Sequence, residues 1–478
     1  MKKNKNAILF TFLLLAAVCQ LWSQKQPNVI YILSDDLGYG EVGYNGQKMI
    51  QTPELDRLAA NGMRFTDHYC GNAVCAPSRA SLLTGKHPGH AYIRSNSPGY
   101  PDGQTPITED TETLGKLMQR AGYKTACIGK WGLGSFNNSG NPNTQGFDLF
   151  YGYTDQRKAH NYYPEYLWLN GEKQFLDNGK GKQHDYSHDL FTEKAISYIK
   201  ENKDAPFFMY LAYTIPHLKW QVPDLAQYKD KDWPEKMKIQ AAMVSRMSKD
   251  IGTIANLLVE LGIDKNTLIM FNSDNGAHGK GGSLEFFQTS GALRGIKRKM
   301  YDGGVRSPMF AYWPDTIEAG VTNDHISAFW DMLPTFSELT GEPIKGETDG
   351  ISMLPTLLGK QKKQKQHHYL YWELYEGKPN CAVRYGKWKA VVLDRRNGLN
   401  IELYDVKVDP SELVNVAKKF PVVVREIVAM MQKAHVKNAF WDVDNKPLFN
   451  AAAAAKKNGV QPNLNNPYYK THKNKKTH

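Results

Sequence analysis

Two apolar runs in this chain end in hard oxygen ligands. Residues 28–34 close on Asp35-Asp36, and residues 267–272 close on Ser273-Asp274-Asn275-Gly276. Carboxylates gathered in one pocket raise one another's pKa values unless a cation sits among them. Three Asp and one Asn offer oxygen without Cys or His, a set that suits Ca²⁺, and less so Mg²⁺, rather than zinc. Either cluster alone reads equally well as a strand end or helix cap, since Asp and Asn favour both. On two strand ends far apart in sequence, they read as one site. The third feature is Cys75-Ala76-Pro77-Ser78-Arg79-Ala80-Ser81-Leu82-Leu83-Thr84-Gly85. A cysteine at a helix N-terminus sits where an anionic nucleophile is stabilised, with Arg79 one turn along to pair with it or its substrate. A buried thiol ahead of a helix capped by Ser78 accounts for the same residues without chemistry.

These groups need strands to carry them to a common edge. The runs 28–34, 124–129, 206–213 and 267–272 are short, apolar and β-rich, and each follows or precedes a helical pattern: 52–61 (Thr52 as cap, Pro53 first), 78–84, 113–121, 190–200 and 241–261. Strands alternating with helices predict an α/β fold, a large mixed, mostly parallel sheet sandwiched by helices, with ligands beyond the carboxyl ends of the strands. From about Gly359 the character changes. Residues 361–368 are polar and basic. Then 368–373, 382–385, 388–392 and 401–405 read as short antiparallel strands and 422–435 as a helix, a smaller C-terminal α+β subdomain. The expected division is a leader at 1–23, a catalytic domain at 24–360, the subdomain at 361–447 and a flexible basic tail at 448–478. No internal repeat is visible.

The chain has 478 residues, 41% of them hydrophobic and 23% charged, which excludes a polytopic membrane protein and a largely disordered one. Lys+Arg 60 against Asp+Glu 48 gives a net charge of +12. No arginine-rich helix or aromatic stacking motif accompanies that charge, so nucleic acid is not the expected partner and a basic cleft for an anionic substrate is. Met1-Lys2-Lys3-Asn4-Lys5, the apolar run 7–18 and Ser23 read as a secretory signal. The run is short for a membrane span, so the expectation is an exported protein, periplasmic or secreted, with lipid anchoring at Cys19 the lesser alternative. Beyond the leader, Cys70, Cys75, Cys127 and Cys381 permit three full pairings. Cys70 and Cys75 lack the Cys-x-x-Cys spacing of a redox pair.

The Cys75-x-Pro77-Ser78-Arg79 run with its trailing Leu83-Thr84-Gly85 resembles the signature of the type I, formylglycine-dependent sulfatases of the alkaline phosphatase-like superfamily, here of the bacterial carbohydrate sulfatase type. Other blocks fall in the order that family has. They are Asp35-Asp36-Leu37-Gly38-Tyr39-Gly40, Gly129-Lys130-Trp131-Gly132-Leu133-Gly134, Pro216-His217, Asp274-Asn275-Gly276, Leu293-Arg294-Gly295-Ile296-Lys297, and 402–405 with 409–412. The likeness covers roughly residue 27 to the 430s. It implies that Cys75 is oxidised to formylglycine by a maturation enzyme and, as the hydrate, attacks a sulfate monoester. It implies a divalent cation, Ca²⁺ before Mg²⁺, on Asp35, Asp36, Asp274, Asn275 and the group derived from Cys75. Arg79 would hold the hydrate, Lys130 and Lys297 the sulfate oxygens, and His217 would protonate the leaving oxygen. The family's Gly-Lys-Trp block usually continues with His, where this chain has Gly132. One donor is therefore absent or supplied elsewhere, with His160, His87 and His90 as candidates. Glu41 stands where the family often has Asp, outside the expected metal shell.

A plain thiolate attacking sulfur would leave a sulfur–sulfur bond with no internal route of release, whereas an aldehyde hydrate carries a second hydroxyl that can expel sulfate. The basic, amide and aromatic groups of 156–168, with 90–96, suit sugar hydroxyls and faces. His90, Arg94, His160 and Asn161 are the substrate-binding candidates. The expected substrate is a sulfated galactose or N-acetylgalactosamine in mucin, glycosaminoglycan or algal glycan. The alternatives are a formylglycine-dependent phosphoester or phosphonate hydrolase, and a non-catalytic Ca²⁺-dependent glycan-binding protein.

Overall fold

A computed structural model describes residues 26–96, 105–438 and 441. The expected leader and basic tail lie outside the described residues. Among the described residues no helix is long and apolar enough to cross a membrane.

The strands in chain order are β1 (Asn28–Ser34), β2 (Met63–Phe65), β3 (His68–Tyr69), β4 (Lys124–Lys130), β5 (Leu149–Tyr153), β6 (Tyr166–Leu169), β7 (Glu172–Phe175) and β8 (Phe207–Ala212). They continue with β9 (Thr267–Ser273), β10 (Met309–Tyr312), β11 (Val321–Asn323), β12 (Ser327–Ala328), β13 (Leu370–Leu374), β14 (Asn380–Tyr385), β15 (Trp388–Val392) and β16 (Glu402–Asp405). Ten of them form one sheet in the order β11-β2-β10-β9-β1-β8-β4-β5-β6-β7. Its centre, β9-β1-β8-β4-β5, is parallel throughout. The antiparallel pairings lie toward the rims, β9-β10-β2 on one side and β5-β6-β7 on the other.

Every residue of β1 is buried because both sheet faces are covered, as parallel sheets require. Val29, Tyr31 and Leu33 join a core with the helices Cys75–Thr84, Leu114–Arg120 and Met332–Thr340. Ile30 and Ile32 join the opposite core with Pro53–Ala60, Ser187–Asn202 and Glu235–Glu260. Near the C-terminus, β13-β14-β15-β16 form an antiparallel sheet that packs against the helix Pro421–Ala434. Its other face, through Leu370, Trp372, Leu374 and Val391, belongs to the first of the large cores. The fold is thus the expected large mixed sheet flanked by helices, plus a small antiparallel unit.

This second sheet also fixes the approach to Cys75. Trp372 Nε1 donates to Cys70 O (3.0 Å) and Asn72 Nδ2 donates to Glu373 O (2.9 Å). The helix expected from Ser78 starts three residues earlier, at Cys75, and all ten of its residues are buried. Pro77 is tolerated in a first turn whose N–H groups have no intrahelical acceptor. Ser78 is not the cap; its Oγ accepts Gly71 N–H (3.0 Å) and ties down the preceding loop. The four cysteines of the described region are all free and buried, so no disulfide contributes.

Candidate active site

The four central strands deliver the site from one edge. β1 and β9 run in register to Ser34 and Ser273, and Asp274 N–H bonds Ser34 O (3.0 Å), which sets Asp35, Asp36, Asp274 and Asn275 side by side. Asp35 N–H bonds Ile215 O (3.2 Å), bringing in the segment after β8 that carries His217. Lys130 is the last residue of β4. Asp36 turns with φ at +64°, an uncommon conformation for a residue with a side chain, and its N–H donates to Asp274 Oδ1 (3.1 Å).

At the centre sits Cys75. Its Sγ is 3.3 Å from Asp35 Oδ1, 3.9 Å from Asp36 Oδ1 and 3.3 Å from Lys297 Nζ. Potential ligand atoms of Asp35, Asp36, Cys75 and His217 all lie within 4.8 Å of one another. Lys130 Nζ donates to Asp35 Oδ2 (2.6 Å), and Lys297 Nζ donates to both oxygens of Asp36 (2.6 and 2.8 Å). Arg79 grips Asp274 Oδ2 through Nε and Nη2 (3.0 and 2.8 Å) and donates from Nη1 to Lys130 O (2.8 Å). His217 donates from Nδ1 to Leu218 O, which leaves Nε2 facing Asp36 Oδ2 (3.2 Å) and Lys297 Nζ (3.1 Å).

Three buried carboxylates therefore face three buried cations. Burial pushes the Asp35 carboxyl up, but Lys130, His217, Arg79 and Lys297 outweigh it and hold it well below the usual carboxylate range. Asp274 goes the other way: burial and Asp35 push it up to about 6 against Arg79 and Lys130. Burial, joined by Asp35, also raises the Cys75 thiol, so an unmodified cysteine here stays protonated. Burial takes His217 down to about 4, with Asp36 opposing.

The residues fit a hard divalent cation. Asn275 Nδ2 is used by Asp36 Oδ1 (2.7 Å) and Gly276 O (2.9 Å), while its Oδ1 is buried without a partner beside the carboxylates. An orphaned carbonyl oxygen among carboxylates is a ligand in waiting. Glu41 takes no part: its carboxylate accepts Gly38 N–H (2.6 Å) and Gln240 Nε2 (2.5 Å), and burial raises it to about 8.

The structure thus brings together Asp35, Asp36, Cys75, Arg79, Lys130, His217, Asp274, Asn275 and Lys297. His160 joins them, its ring stacked on His217 at 3.7 Å and 12°. Asn161 follows it but is exposed, with Oδ1 accepting Tyr163 N–H (3.2 Å). Two of the substrate-binding expectations are corrected. Arg94 is buried, donating to Glu373 Oε1 (2.5 Å), Val436 O (2.7 Å) and Ala91 O (2.9 Å), so its guanidinium holds the C-terminal sheet instead. His90 pairs with Asp349 (2.8 Å) and stacks on His87 beyond the far end of the Cys75 helix, roughly 14 Å along its axis from Cys75. That distance also removes His87 and His90 as substitutes for the missing histidine.

Sequence reasoning missed two neighbours. His278 lies four residues after Asp274, edge-on to His217 with ring centroids 6.2 Å apart, and its place in the same block was the available signal. The other is Gln156, which stood within the stretch 156–168 but was not singled out, and whose amide fills the space left by Gly132: a Cβ built there would fall 1.9 Å from Gln156 Nε2.

Comparison with known proteins agrees with this geometry. Residues 27–342 match the family model described as Sulfatase, and residues 296–439 match that of the N-sulphoglucosamine sulphohydrolase C-terminal region. Arylsulfatase A of Homo sapiens is 33% identical over 414 residues, covering 79% of this chain and 77% of its own. The N-acetylgalactosamine-6-O-sulfatase of Bacteroides thetaiotaomicron is 27% identical over 495 residues, covering 86% and 93%. The crystal structure of Ps i-CgsB in complex with k-i-k-neocarrahexaose superposes with a TM-score of 0.76 at 27% identity, covering 90% of this chain and 98% of that one. With nine site residues converging at the strand ends and the family model spanning most of the chain, the protein belongs to the sulfatase family, the sulfuric ester hydrolases.

Proposed function

We propose that this sulfatase removes sulfate from a galacto-configured sugar, galactose or N-acetylgalactosamine, using an aldehyde made from Cys75 by a maturation enzyme and a bound Ca²⁺. The observation that carries the reading is the position of Cys75 Sγ, 3.3 Å from both an Asp35 oxygen and the Lys297 ammonium, at the N-terminus of a buried helix. The Bacteroides relative named for N-acetylgalactosamine 6-O-sulfate supports the choice of sugar. The basic and apolar leader at 1–23 supports export to the periplasm or medium.

Asp35, Asp36, Asp274 and Asn275, with the group at position 75, would hold the cation, which polarises sulfuryl oxygens when bound. The hydrated aldehyde would supply two hydroxyls, one as the nucleophile toward sulfur and one whose proton loss would allow sulfate to be released. The chain's own residues do the rest. Lys130 and Lys297 present ammonium groups to the sulfuryl oxygens, held in place before substrate arrives. Arg79, fixed by Asp274 and the Lys130 carbonyl, orients position 75. His217, its Nδ1–H held on Leu218 O, would give the departing sugar oxygen a proton from Nε2 in its imidazolium form, the form that the facing Asp36 carboxylate favours. His160, flat against that ring, keeps water from one of its faces.

The test is chemical. Protein made with the maturation enzyme should show Cys75 converted to aldehyde by peptide mass, and should cleave 4-nitrophenyl sulfate far faster than 4-nitrophenyl phosphate. A phosphate monoester carries the greater negative charge and needs more cationic compensation than three cations already matched by three Asp provide. Desulfation of a panel of defined saccharides should favour sulfated galactose and N-acetylgalactosamine. A phosphate preference would move the assignment to phosphoester hydrolysis. Full conversion with no turnover of any sulfated sugar would leave a glycan-binding protein.

A further inference from the structure

We infer that Gln156 is a substrate-facing hydrogen-bond donor to the sulfuryl group, standing in for the side chain absent at Gly132. This deepens the hydrolase reading above and rests on it. β4 and β5 run side by side to the site, with Lys130 opposite Tyr153, Trp131 N–H on Tyr153 O (2.9 Å) and Gly132 N–H on Thr154 O (3.2 Å). Gln156 therefore stands just past the level at which Lys130 enters the cluster. Gly132 has φ at +80°, and the Gln156 amide lies where its side chain would have been. The two positions accommodate each other: any larger residue at 132 meets the amide, and the amide needs that opening.

Gln156 is 5% exposed as a residue, and its Nε2 is buried without a hydrogen-bond partner. Leaving such a donor unpaired costs about 1–3 kcal/mol. A slack loop is not the reason. Asp155 Oδ1 accepts the N–H groups of Arg157 (2.6 Å) and Lys158 (3.1 Å), Ala159 N–H bonds Asp155 O (3.2 Å), and Tyr153 OH bonds Asn161 O (2.6 Å). The backbone on both sides of Gln156 is pinned while its side chain is held without an acceptor. Four residues on, the same loop lays His160 against His217. The loop therefore carries His160 to the cluster and, beside Gly132 at the end of the same strand pair, leaves Gln156 with an N–H that has no acceptor. An anionic oxygen is the acceptor that a neutral amide among lysines lacks, and a sulfuryl group brings it.

The test compares wild type, Gln156→Leu and Gln156→Glu, each with the aldehyde at position 75 verified by mass. It reads kcat and KM on 4-nitrophenyl sulfate, competitive inhibition by inorganic sulfate, and Tm. Gln156→Leu should lower kcat/KM by about 10- to 100-fold and weaken sulfate inhibition several-fold. Its Tm should hold or rise, because an unpaired buried polar group has been removed. Gln156→Glu should lose more on both kinetic readouts, since its carboxylate repels sulfate. If Gln156→Leu stays within about twofold of wild type in kcat/KM and sulfate inhibition, the inference is wrong. It is equally overturned if activity falls together with Tm while sulfate inhibition is unchanged, which is the mark of a packing role. Should converted wild type cleave no sulfate ester, the hydrolase reading fails separately. Calorimetric binding of inorganic sulfate to wild type and Gln156→Leu then decides the role of the amide on its own.

Discussion

At the scale of single residues, the roles of Cys75 and His217 separate by experiment. Cys75→Ala removes the thiol that the proposed conversion to an aldehyde requires, so turnover should fall to background while far-UV circular dichroism stays that of the wild type. Near-wild-type turnover in a pure sample would take Cys75 out of the mechanism. His217→Ala should discriminate between leaving groups. A phenolate departs with little protonation, whereas a sugar alkoxide needs the proton, so losses of about 10²- to 10⁴-fold belong to saccharide substrates and much smaller ones to aryl sulfates. Equal losses on both would argue against a proton donor. Asp35, Asp36, Asp274, Asn275, Cys75 and Arg79 were legible from local chemistry, oxygen ligands at two strand ends and a cysteine ahead of Pro-Ser-Arg, whereas Lys130, His217 and Lys297 were legible only through the resemblance to the family's blocks. Gln156 was not, because its meaning depends on a side chain missing 24 positions earlier, a relation that only the β4–β5 pairing exposes. Arg94 looked like a substrate group for the converse reason, since nothing local marks it as the partner of Glu373.

Among elements, Glu373 on β13 anchors the C-terminal sheet to segments outside it. Its carboxylate takes Arg94 (2.5 Å), Arg395 (3.0 Å), His435 (2.8 Å) and the Tyr371 hydroxyl (2.7 Å), tying the segment after the Cys75 helix to β13 and to the end of the last helix. Burial pushes this carboxyl up, but the His435 hydrogen bond, Arg94 and Arg395 overcome it and hold it at about 2. Glu373→Gln should therefore cost about 3–5 kcal/mol at neutral pH, as the loss of one partner from a buried ionic cluster does. The sign of the pH dependence follows from the depressed value. The unfolded carboxyl titrates near its ordinary 4.5, so the stabilisation is fully present above that pH and fades as pH falls toward 2. Thermal melts should show a wide wild-type-to-mutant gap at pH 7 that narrows below about pH 4.5; a gap independent of pH would deny the carboxylate this role. The central strands β1, β4, β8 and β9 were readable as apolar runs buried on both faces. The rims were not, because β2, β10 and β11 are three or four residues long and β7 is fully exposed, leaving too little periodicity to read.

For the whole molecule, the site is where independent strands meet, and its charge couples chemistry to stability. Asp35, Asp36, Asp274 and Asn275 come from two strands, Lys130 from a third, and Cys75 with Arg79 from a helix on one sheet face. In the unfolded chain these ligands are far apart in sequence, so a divalent cation binds the folded form and not the unfolded one. Linkage then requires stabilisation of about 2.7 kcal/mol at a free concentration 100 times Kd. The Tm should accordingly rise by a few degrees between excess chelator and millimolar Ca²⁺, and by less with Mg²⁺, which demands tighter octahedral geometry. Asn275→Ala is the sharper probe. It deletes the buried oxygen that has no other partner without altering net charge, so it should shrink the Ca²⁺-dependent part of the Tm shift more than it lowers Tm in chelator. Identical melts of the wild type in chelator and in Ca²⁺ would mean that Arg79, Lys130 and Lys297 alone neutralise the three carboxylates. The strand ends would then hold an internal ion-pair cluster rather than a metal centre.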